Sequence, residues 1–171
     1  MGKILIVVDM QNDFIDGALG TSEAVAIVPY VESLIKSFDG KVFYTRDTHF
    51  DDYEETQEGH RLPVRHCIKD TYGWQIRSEL DALRKTDAID KITFGSKELV
   101  ELLNKENDID SIEFVGLCTD ICVISNVLLV KAFFPEIPLF VRANGCAGVT
   151  PESHRTALDA MKMCQVNIIF E

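Results

Sequence analysis

Residues 111–123, SIEFVGLCTDICV, set the architecture of this chain and point to its chemistry. The β-branched and aromatic first half predicts a buried strand that Gly116 breaks. Thr119 and Asp120 then give a helix-start signal, and the apolar residues after them predict a buried helix. Cys122 therefore falls in the first turn of a helix just past a strand end, where the helix dipole favours a thiolate and suits a nucleophile. The alternative is core packing, because free cysteine is among the most buried residue types.

Around that stretch, apolar strands alternate with helical patterns along the whole chain. The alternation predicts an α/β fold of three layers (α/β/α), with a doubly wound, mostly parallel six-stranded sheet between helices. Strands are predicted at 3–8, 41–46, 88–93, from 111, at 139–143 and at 166–170. Helices are predicted at 22–38 (starting at Pro29 in an alternative reading), 73–85, 96–105, from 121 and at 151–164, and residues 47–69 read as a long loop. No linker divides residues 1–171, so we expect a single domain.

Composition narrows the classes of function. The 171 residues carry 28 acidic and 17 basic side chains, a formal net charge of −11, which argues against nucleic acid and against an anionic membrane surface as partners. No apolar run reaches membrane-spanning length, and the first residues do not form a signal peptide. We therefore expect a cytoplasmic protein whose five cysteines stay reduced.

Several chemically useful side chains stand at or near predicted strand ends. Ligands of open parallel sheets bind beyond the carboxyl ends of the strands. That rule singles out Asp9, Asp47, His49, Lys91, Cys118 and Cys122. Asp9 is otherwise a turn residue, and Lys91 is otherwise an edge-strand lysine whose stem lies on the surface.

The segment Asp47-Thr48-His49 resembles part of a metal site. Positions two apart in an extended segment point to the same side, so the carboxylate and the imidazole can converge on one ion. With His66, they would form the open site of one carboxylate and two histidines that zinc, iron or manganese uses. The alternative is a pair of solvated loop histidines.

Cys118 and Cys122 are also spaced like half of a structural zinc site. Such a site needs a second pair of ligands. Cys67, Cys146 and Cys164 are isolated along the chain, so a structural zinc site is the weaker reading.

Taken together, these residues resemble the isochorismatase-like cysteine hydrolases, and in particular their nicotinamidase-related branch. Five pieces stand in the family's order: VDMQNDF at 8–14, TRDTH at 45–49, LPVRHC at 62–67, Lys91, and GLCTDICV at 116–123. The resemblance covers nearly the whole chain and implies the isochorismatase-like hydrolase fold.

The resemblance implies a catalytic triad of Asp9, Lys91 and Cys122. It also implies an oxyanion hole formed by the backbone N–H groups of Cys118 and Cys122, with a cis peptide before Cys118. The implied enzyme is an amidohydrolase that forms a thioester and converts nicotinamide to nicotinate and ammonia. The alternative is a family hydrolase that acts on another small amide or ester.

A divalent metal ion is part of the same resemblance. It implies zinc, or else iron or manganese, held by Asp47, His49 and His66. Glu58 resembles a fourth ligand seen in some members, and His60 competes for that role.

The resemblance also outlines a substrate pocket. Phe14 matches an aromatic wall, Leu117 precedes Cys118 at the pocket, and Phe94 is expected to replace a wall that the family places near residue 62. The expected partner is a small amide. Relatives usually associate, so we expect a homo-oligomer to which the apolar run at 127–130 contributes.

Overall fold

A six-stranded sheet forms the centre of the molecule in a computed structural model that describes residues 2–171. Its strands are β1 (Gly2–Val8), β2 (Lys41–Asp47), β3 (Ile89–Lys91), β4 (Ile109–Leu117), β5 (Leu139–Ala147) and β6 (Asn167–Ile169). They lie in the order β3-β2-β1-β4-β5-β6, and every neighbouring pair is parallel. The predicted doubly wound fold is confirmed, with a sheet that is wholly rather than mostly parallel.

Helices cover both faces of the sheet. They are α1 (Asn12–Ile15), α2 (Ser22–Ser37), α3 (Gln57–Arg61), α4 (Ser78–Asp81), α5 (Lys97–Leu103), α6 (Ile124–Phe133) and α7 (Pro151–Met163). A 3-10 turn spans Tyr53–Glu55, and a π-helical turn at Thr119–Val123, called the π turn below, leads directly into α6. Within residues 2–171, no helix has both the length and the apolar character needed to cross a membrane.

Alternation along the central strand explains the two layers of helices. Leu5 and Val7 of β1 are fully buried in the cluster that also holds the inner faces of α1, α2 and α4. Ile6 and Val8 point into the opposite cluster, with α5, α6 and α7. Because neighbouring side chains on a strand point to opposite faces, a strand buried on both sides reads as a continuous apolar run, as β1 does.

The long helix α2 confirms the helix predicted at 22–38 and not the alternative that starts at Pro29. It is one continuous helix through Pro29, capped at Thr21, whose side chain accepts a hydrogen bond from the Ala24 N–H. The apolar spacing over 22–38 predicts Val25 on the buried face, but Val25 is 48% exposed. Packing against the sheet outweighs the hydrogen bond that the proline removes. The residues that this helix buries are Ala24, Ile27, Val31 and Ile35.

Other boundaries moved as well. The helix predicted at 73–85 shrinks to α4, and the predicted loop at 47–69 contains the 3-10 turn and α3. Strand β5 continues to Ala147, beyond its predicted end, because it pairs with β4 again after a shift in register.

Gly116 was predicted to break this strand, but it lies within β4. Its φ is +124°, and a Cβ there would stand 2.0 Å from the carbonyl oxygen of Val8. Only glycine allows this conformation and this close approach. The carboxyl ends of β1 and β4 are thereby held side by side.

Candidate active site and metal centre

Three predicted residues from distant parts of the chain meet at this edge of the sheet. Asp9 follows β1, Lys91 ends β3, and Cys122 lies in the π turn. The Lys91 Nζ atom is 2.7 Å from Asp9 Oδ2 and 3.4 Å from Cys122 Sγ. All three side chains are buried, so the surface reading of Lys91 is wrong.

The backbone at the end of β1 turns the Asp9 side chain inward. Asp9 has a φ of +48°, which is uncommon for a residue other than glycine. Its N–H donates to the carbonyl oxygen of Thr45, and the Thr45 hydroxyl donates to Asp9 Oδ1 at 2.7 Å. One carboxylate oxygen is therefore held by Thr45 and the other by Lys91.

Burial and charge decide which of these groups is ionised. Burial alone would lower the pKa of Lys91, but Asp9, Cys122 and Asp47 outweigh it and hold that pKa well above its usual value. Burial raises the pKa of Asp9 and, together with the two carboxylates, that of Cys122. Burial and the two carboxylates therefore oppose the predicted thiolate in the resting site, and the charge of Lys91 favours it.

Thr119 was predicted to mark a helix start, but the π turn does not use its hydroxyl as a cap. Its first residue is Thr119, and the Thr119 hydroxyl caps no backbone group but pairs with His154 Nδ1 at 2.7 Å. The Leu117–Cys118 peptide is cis. Cys118 is partly buried and, like Cys122, lines the cavity described below.

A second group of side chains lies next to the first. Asp47, His49, Glu58 and His66 each present a ligand atom, all within 4.8 Å of one another, and no other group of this kind occurs in residues 2–171. His49 Nε2 lies 3.0 Å from Asp47 Oδ2, and His66 Nε2 lies 3.5 Å from Glu58 Oε1. His60 is exposed and outside the group, so the geometry favours Glu58 over His60.

The chemistry of this second group fits a divalent metal ion. His66 Nδ1 donates to the Val64 carbonyl at 2.7 Å, which leaves the Nε2 lone pair facing the carboxylates. Burial would raise the pKa of Asp47, but hydrogen bonding with His49 and the charge of Lys91 hold it below its usual value. Two carboxylates and two imidazoles suit zinc, iron or manganese.

Asp47 joins the two groups. Its Oδ2 atom faces the histidines, while its Oδ1 atom lies 3.3 Å from the Lys91 Nζ atom. The same carboxylate therefore serves the metal-ligand set and the charge balance around Cys122.

Sequence reasoning missed the side chains that hold the metal-ligand set in place. Gln11 is fully buried; its side-chain amide donates to the Asp47 carbonyl at 2.8 Å, and its oxygen accepts from the Asp47 N–H at 2.7 Å. Asp13 Oδ2 accepts from the Cys67 N–H, next to His66. The available signal was the polar run that follows a fully apolar strand.

Tyr53 was also missed. It is fully buried, and its ring meets the rings of His49 and His66 edge-on, at centroid distances of 4.8 and 5.1 Å. Because it stands in a segment predicted to be loop, no periodicity marked it as buried. It fixes the orientation of both imidazoles by packing.

Both groups open onto one cavity of about 260 Å³. Cys122 reaches it from one side, and Asp47, Glu58 and His66 reach it from the other. Asp9 and Lys91 lie behind the sulfur. The predicted pocket residues Phe14, Phe94 and Leu117 all line the cavity, with Phe94 43% exposed at its mouth.

Comparison with known proteins places this arrangement in a family. A family model described as the Isochorismatase domain matches residues 3–169. A nicotinamidase/pyrazinamidase of Mycobacterium tuberculosis is 26% identical over 190 residues, which cover 98% of each chain.

Solved structures agree. A nicotinamidase/pyrazinamidase from Bacillus subtilis matches with a TM-score of 0.83 at 27% identity, over 98% of this chain and 99% of that one. A pyrazinamidase from Pyrococcus horikoshii, solved in complex with zinc, matches with a TM-score of 0.82 at 27% identity, over 99% of each chain. The chain belongs to the isochorismatase-like hydrolases, in the nicotinamidase branch of that family.

Proposed function

We propose that this protein is a metal-assisted cysteine amidohydrolase that converts nicotinamide and water to nicotinate and ammonia. One observation carries the proposal: a sulfur with an acid and an ammonium group beside it, and a set of two carboxylates and two imidazoles, face the same cavity. The relative from Mycobacterium tuberculosis is named for the hydrolysis of such amides.

The first half of the reaction forms a thioester. The Cys122 thiol loses its proton to Asp9 as the sulfur attacks the amide carbonyl, since the raised pKa of the thiol leaves it neutral until then. Backbone N–H groups of Cys118 and Cys122 stabilise the negative oxygen that develops. Asp9 returns the proton to the leaving nitrogen, and ammonia departs.

The second half releases nicotinate. Asp9 takes a proton from a water molecule that attacks the thioester carbonyl, and the sulfur leaves as its proton is restored. Lys91 remains protonated throughout, because three acidic neighbours raise its pKa. It thereby offsets the negative charge that moves between Asp9 and Cys122.

Asp47, His49, Glu58 and His66 would hold a divalent metal ion, which we expect to be zinc, with iron or manganese as alternatives. When bound, such an ion supplies a Lewis-acidic anchor for a pyridine nitrogen. The buried ring of Phe14, with its centroid 5.5 Å from that of His66, then walls the position next to it. These contacts favour a pyridine carboxamide over an aliphatic amide.

A second candidate keeps the mechanism and changes the substrate. Phe94, which we propose as a pocket wall, is 43% exposed, so the cavity is open to solvent at that wall. A larger aromatic amide or a small ester would fit such a mouth.

The decisive experiment measures ammonia release from a panel of carboxamides by the zinc-loaded protein. Nicotinamide should be hydrolysed with the highest kcat/KM. If the protein ignores nicotinamide but hydrolyses another amide, the substrate is wrong and the mechanism survives. If it hydrolyses no amide or ester, the proposed function fails.

We also propose that the enzyme acts in the cytoplasm, in pyridine nucleotide metabolism, and as a homo-oligomer. The expected contribution of the run at 127–130 to subunit contacts shrinks to Leu128 and Leu129, because Val127 and Val130 are fully buried within the chain. Size-exclusion chromatography with light scattering tests the oligomer.

A further inference from the structure

We propose that His154 is a positioning residue for the reaction, acting through Thr119 on the turn that carries the nucleophile. This inference rests on the proposed function. The site as described so far draws on β1, β2, β3 and β4, whereas His154 lies on α7, beyond all of them in the chain.

The first observation is a buried side-chain contact. The Thr119 hydroxyl lies 2.7 Å from His154 Nδ1, and Thr119 is 0% exposed. A buried hydroxyl with a single fixed partner holds its residue in one place. Thr119 follows Cys118 directly and begins the π turn that contains Cys122, so its position sets the direction of the backbone between the two proposed oxyanion donors.

The second observation is a clamp beside the first contact. The Asp120 carboxylate accepts hydrogen bonds from the Val149 N–H at 3.1 and 3.3 Å. Val149 belongs to the loop between β5 and α7 and lines the cavity. Adjacent residues of the π turn are thus tied to adjacent parts of the chain, one to α7 and one to the loop before it.

The third observation fixes His154 itself. A Cβ on Gly148 would stand 2.8 Å from the His154 nitrogen and 2.9 Å from its Cα atom, so the loop touches the helix backbone. The start of α7 is also rigid, because Thr150 and Ser153 form a reciprocal capping box. The backbone that carries the His154 side chain is therefore held in place where that side chain contacts Thr119.

The Thr119–His154 contact affects catalysis because it sets the orientation of the backbone N–H groups that form the proposed oxyanion hole. Oxyanion donors work when they already point at the place where charge develops, and a displacement of about 1 Å can reduce a rate by about a hundredfold. Asp9 and Lys91 come from other strands and do not depend on His154. Loss of the His154 contact should therefore misdirect the N–H groups of the π turn, whereas Asp9 and Lys91 keep their places and the sulfur still reaches the cavity.

The test compares His154→Leu with Arg155→Leu, which changes the exposed neighbour on the same helix. We expect His154→Leu to lower kcat about tenfold or more, with KM within about twofold of wild type. His154→Asn, which keeps a polar atom near the Nδ1 position, should recover most of the rate. Alkylation of Cys122 by iodoacetamide, followed by peptide mass spectrometry, should proceed at the wild-type rate, because it needs no oxyanion hole.

Thr119 supplies a second arm. Thr119→Val removes the hydroxyl at nearly constant volume and should lower kcat as His154→Leu does, whereas Thr119→Ser should preserve it. The double variant His154→Leu with Thr119→Val should be little slower than either single variant, because both remove one contact.

The outcomes separate this inference from the proposed function. If wild type hydrolyses no carboxamide, the proposed function fails, whatever the variants do. If wild type is active and His154→Leu keeps the kcat of Arg155→Leu, the positioning role is wrong. The role is equally wrong if His154→Leu lowers kcat and Cys122 alkylation in parallel and His154→Asn rescues neither, since that pattern indicates general disruption.

Discussion

The two sides of the cavity solve the problem of buried charge in different ways. On the side of Cys122, the charges balance within the protein, since Lys91 lies against Asp9 and Asp47. On the side of His49 and His66, ring nitrogens and carboxylate oxygens face one another, and within residues 2–171 Glu58 pairs with no lysine or arginine. The charges on the Cys122 side are therefore balanced by the chain itself, whereas the ligand atoms on the histidine side suit a bound metal cation.

The nucleophile gives the largest expected effect. Cys122→Ala should reduce ammonia release by about 10⁴-fold or more, because the proposed thioester forms on the Cys122 sulfur, next to Asp9 and Lys91. Cys164→Ala, which changes an exposed thiol, is the matched control and should leave the rate unchanged. A Cys122→Ala protein that retains more than about a hundredth of the activity would contradict covalent catalysis by this residue.

Removing the Lys91 charge from the Cys122 side should lower the free energy of unfolding. Lys91→Met leaves the Asp9 and Asp47 carboxylates buried without a counter-charge, which costs about 3–5 kcal/mol of the free energy of unfolding. Lys41→Met, at an exposed lysine that pairs with Glu106, should cost less than about 1 kcal/mol. Urea denaturation measures both, and equal losses would show that burial of the pair does not matter.

The other side should respond to metal. Adding zinc at about a hundredfold excess over its Kd to metal-stripped protein should stabilise it by about 2.7 kcal/mol, seen as a rise in Tm. His66→Ala should abolish that rise, and His60→Ala, at an exposed histidine, should keep it. If zinc still raises the Tm of His66→Ala, the ion binds at a site other than the proposed one.

Supporting contacts should matter less than the ligands themselves. Gln11→Leu leaves the Asp47 N–H and carbonyl without their partner and should weaken zinc binding by about 10–100-fold, while Cys122 alkylation stays at the wild-type rate. Gln75→Leu, at an exposed glutamine, serves as the control. Competition with a chromophoric chelator gives the affinities, and an unchanged value for Gln11→Leu would remove its supporting role.

The smallest expected effect concerns pH. Burial lowers the pKa of His154 below its usual value of 6.5, so the unfolded chain binds a proton more readily than the folded one. The stability that the neutral imidazole contributes is therefore fully present above about pH 6.5 and is lost as the pH falls from there through the lower pKa of the folded state. In His154→Asn, the plot of Tm against pH should be flatter between about pH 6.5 and 5 than in wild type; matching slopes would contradict the assignment.

Local patterns predicted the sheet well. The apolar runs that became β1 and β4 are unambiguous because strands buried on both faces admit few polar residues. Helix boundaries and faces were harder: the helix predicted at 73–85 shrinks to α4, and α2 buries Ala24 where Val25 was expected, because tertiary packing overrides local preference. Gly116 looked like a break, and only the neighbouring strand explains why it is part of β4.

The candidate site divides in the same way. Residue type and strand-end position were enough to select Asp9, Asp47 and Lys91, and their convergence follows from the parallel sheet. The raised pKa of Cys122 could not be predicted, because it depends on burial among carboxylates from other strands. The polar run after β1 marks the position of Gln11, but it does not separate a buried amide from a solvated one, so its supporting role was missed.

Lys91 belongs to one of the shortest strands of the sheet. Strand β3 is three residues long, lies at the edge and pairs only with β2. Edges of this kind fray before the rest of a domain melts. On gentle heating, turnover should therefore stop while the far-ultraviolet circular dichroism is still native, and return on cooling, so that the fluctuations of one short border strand set the working temperature of the enzyme.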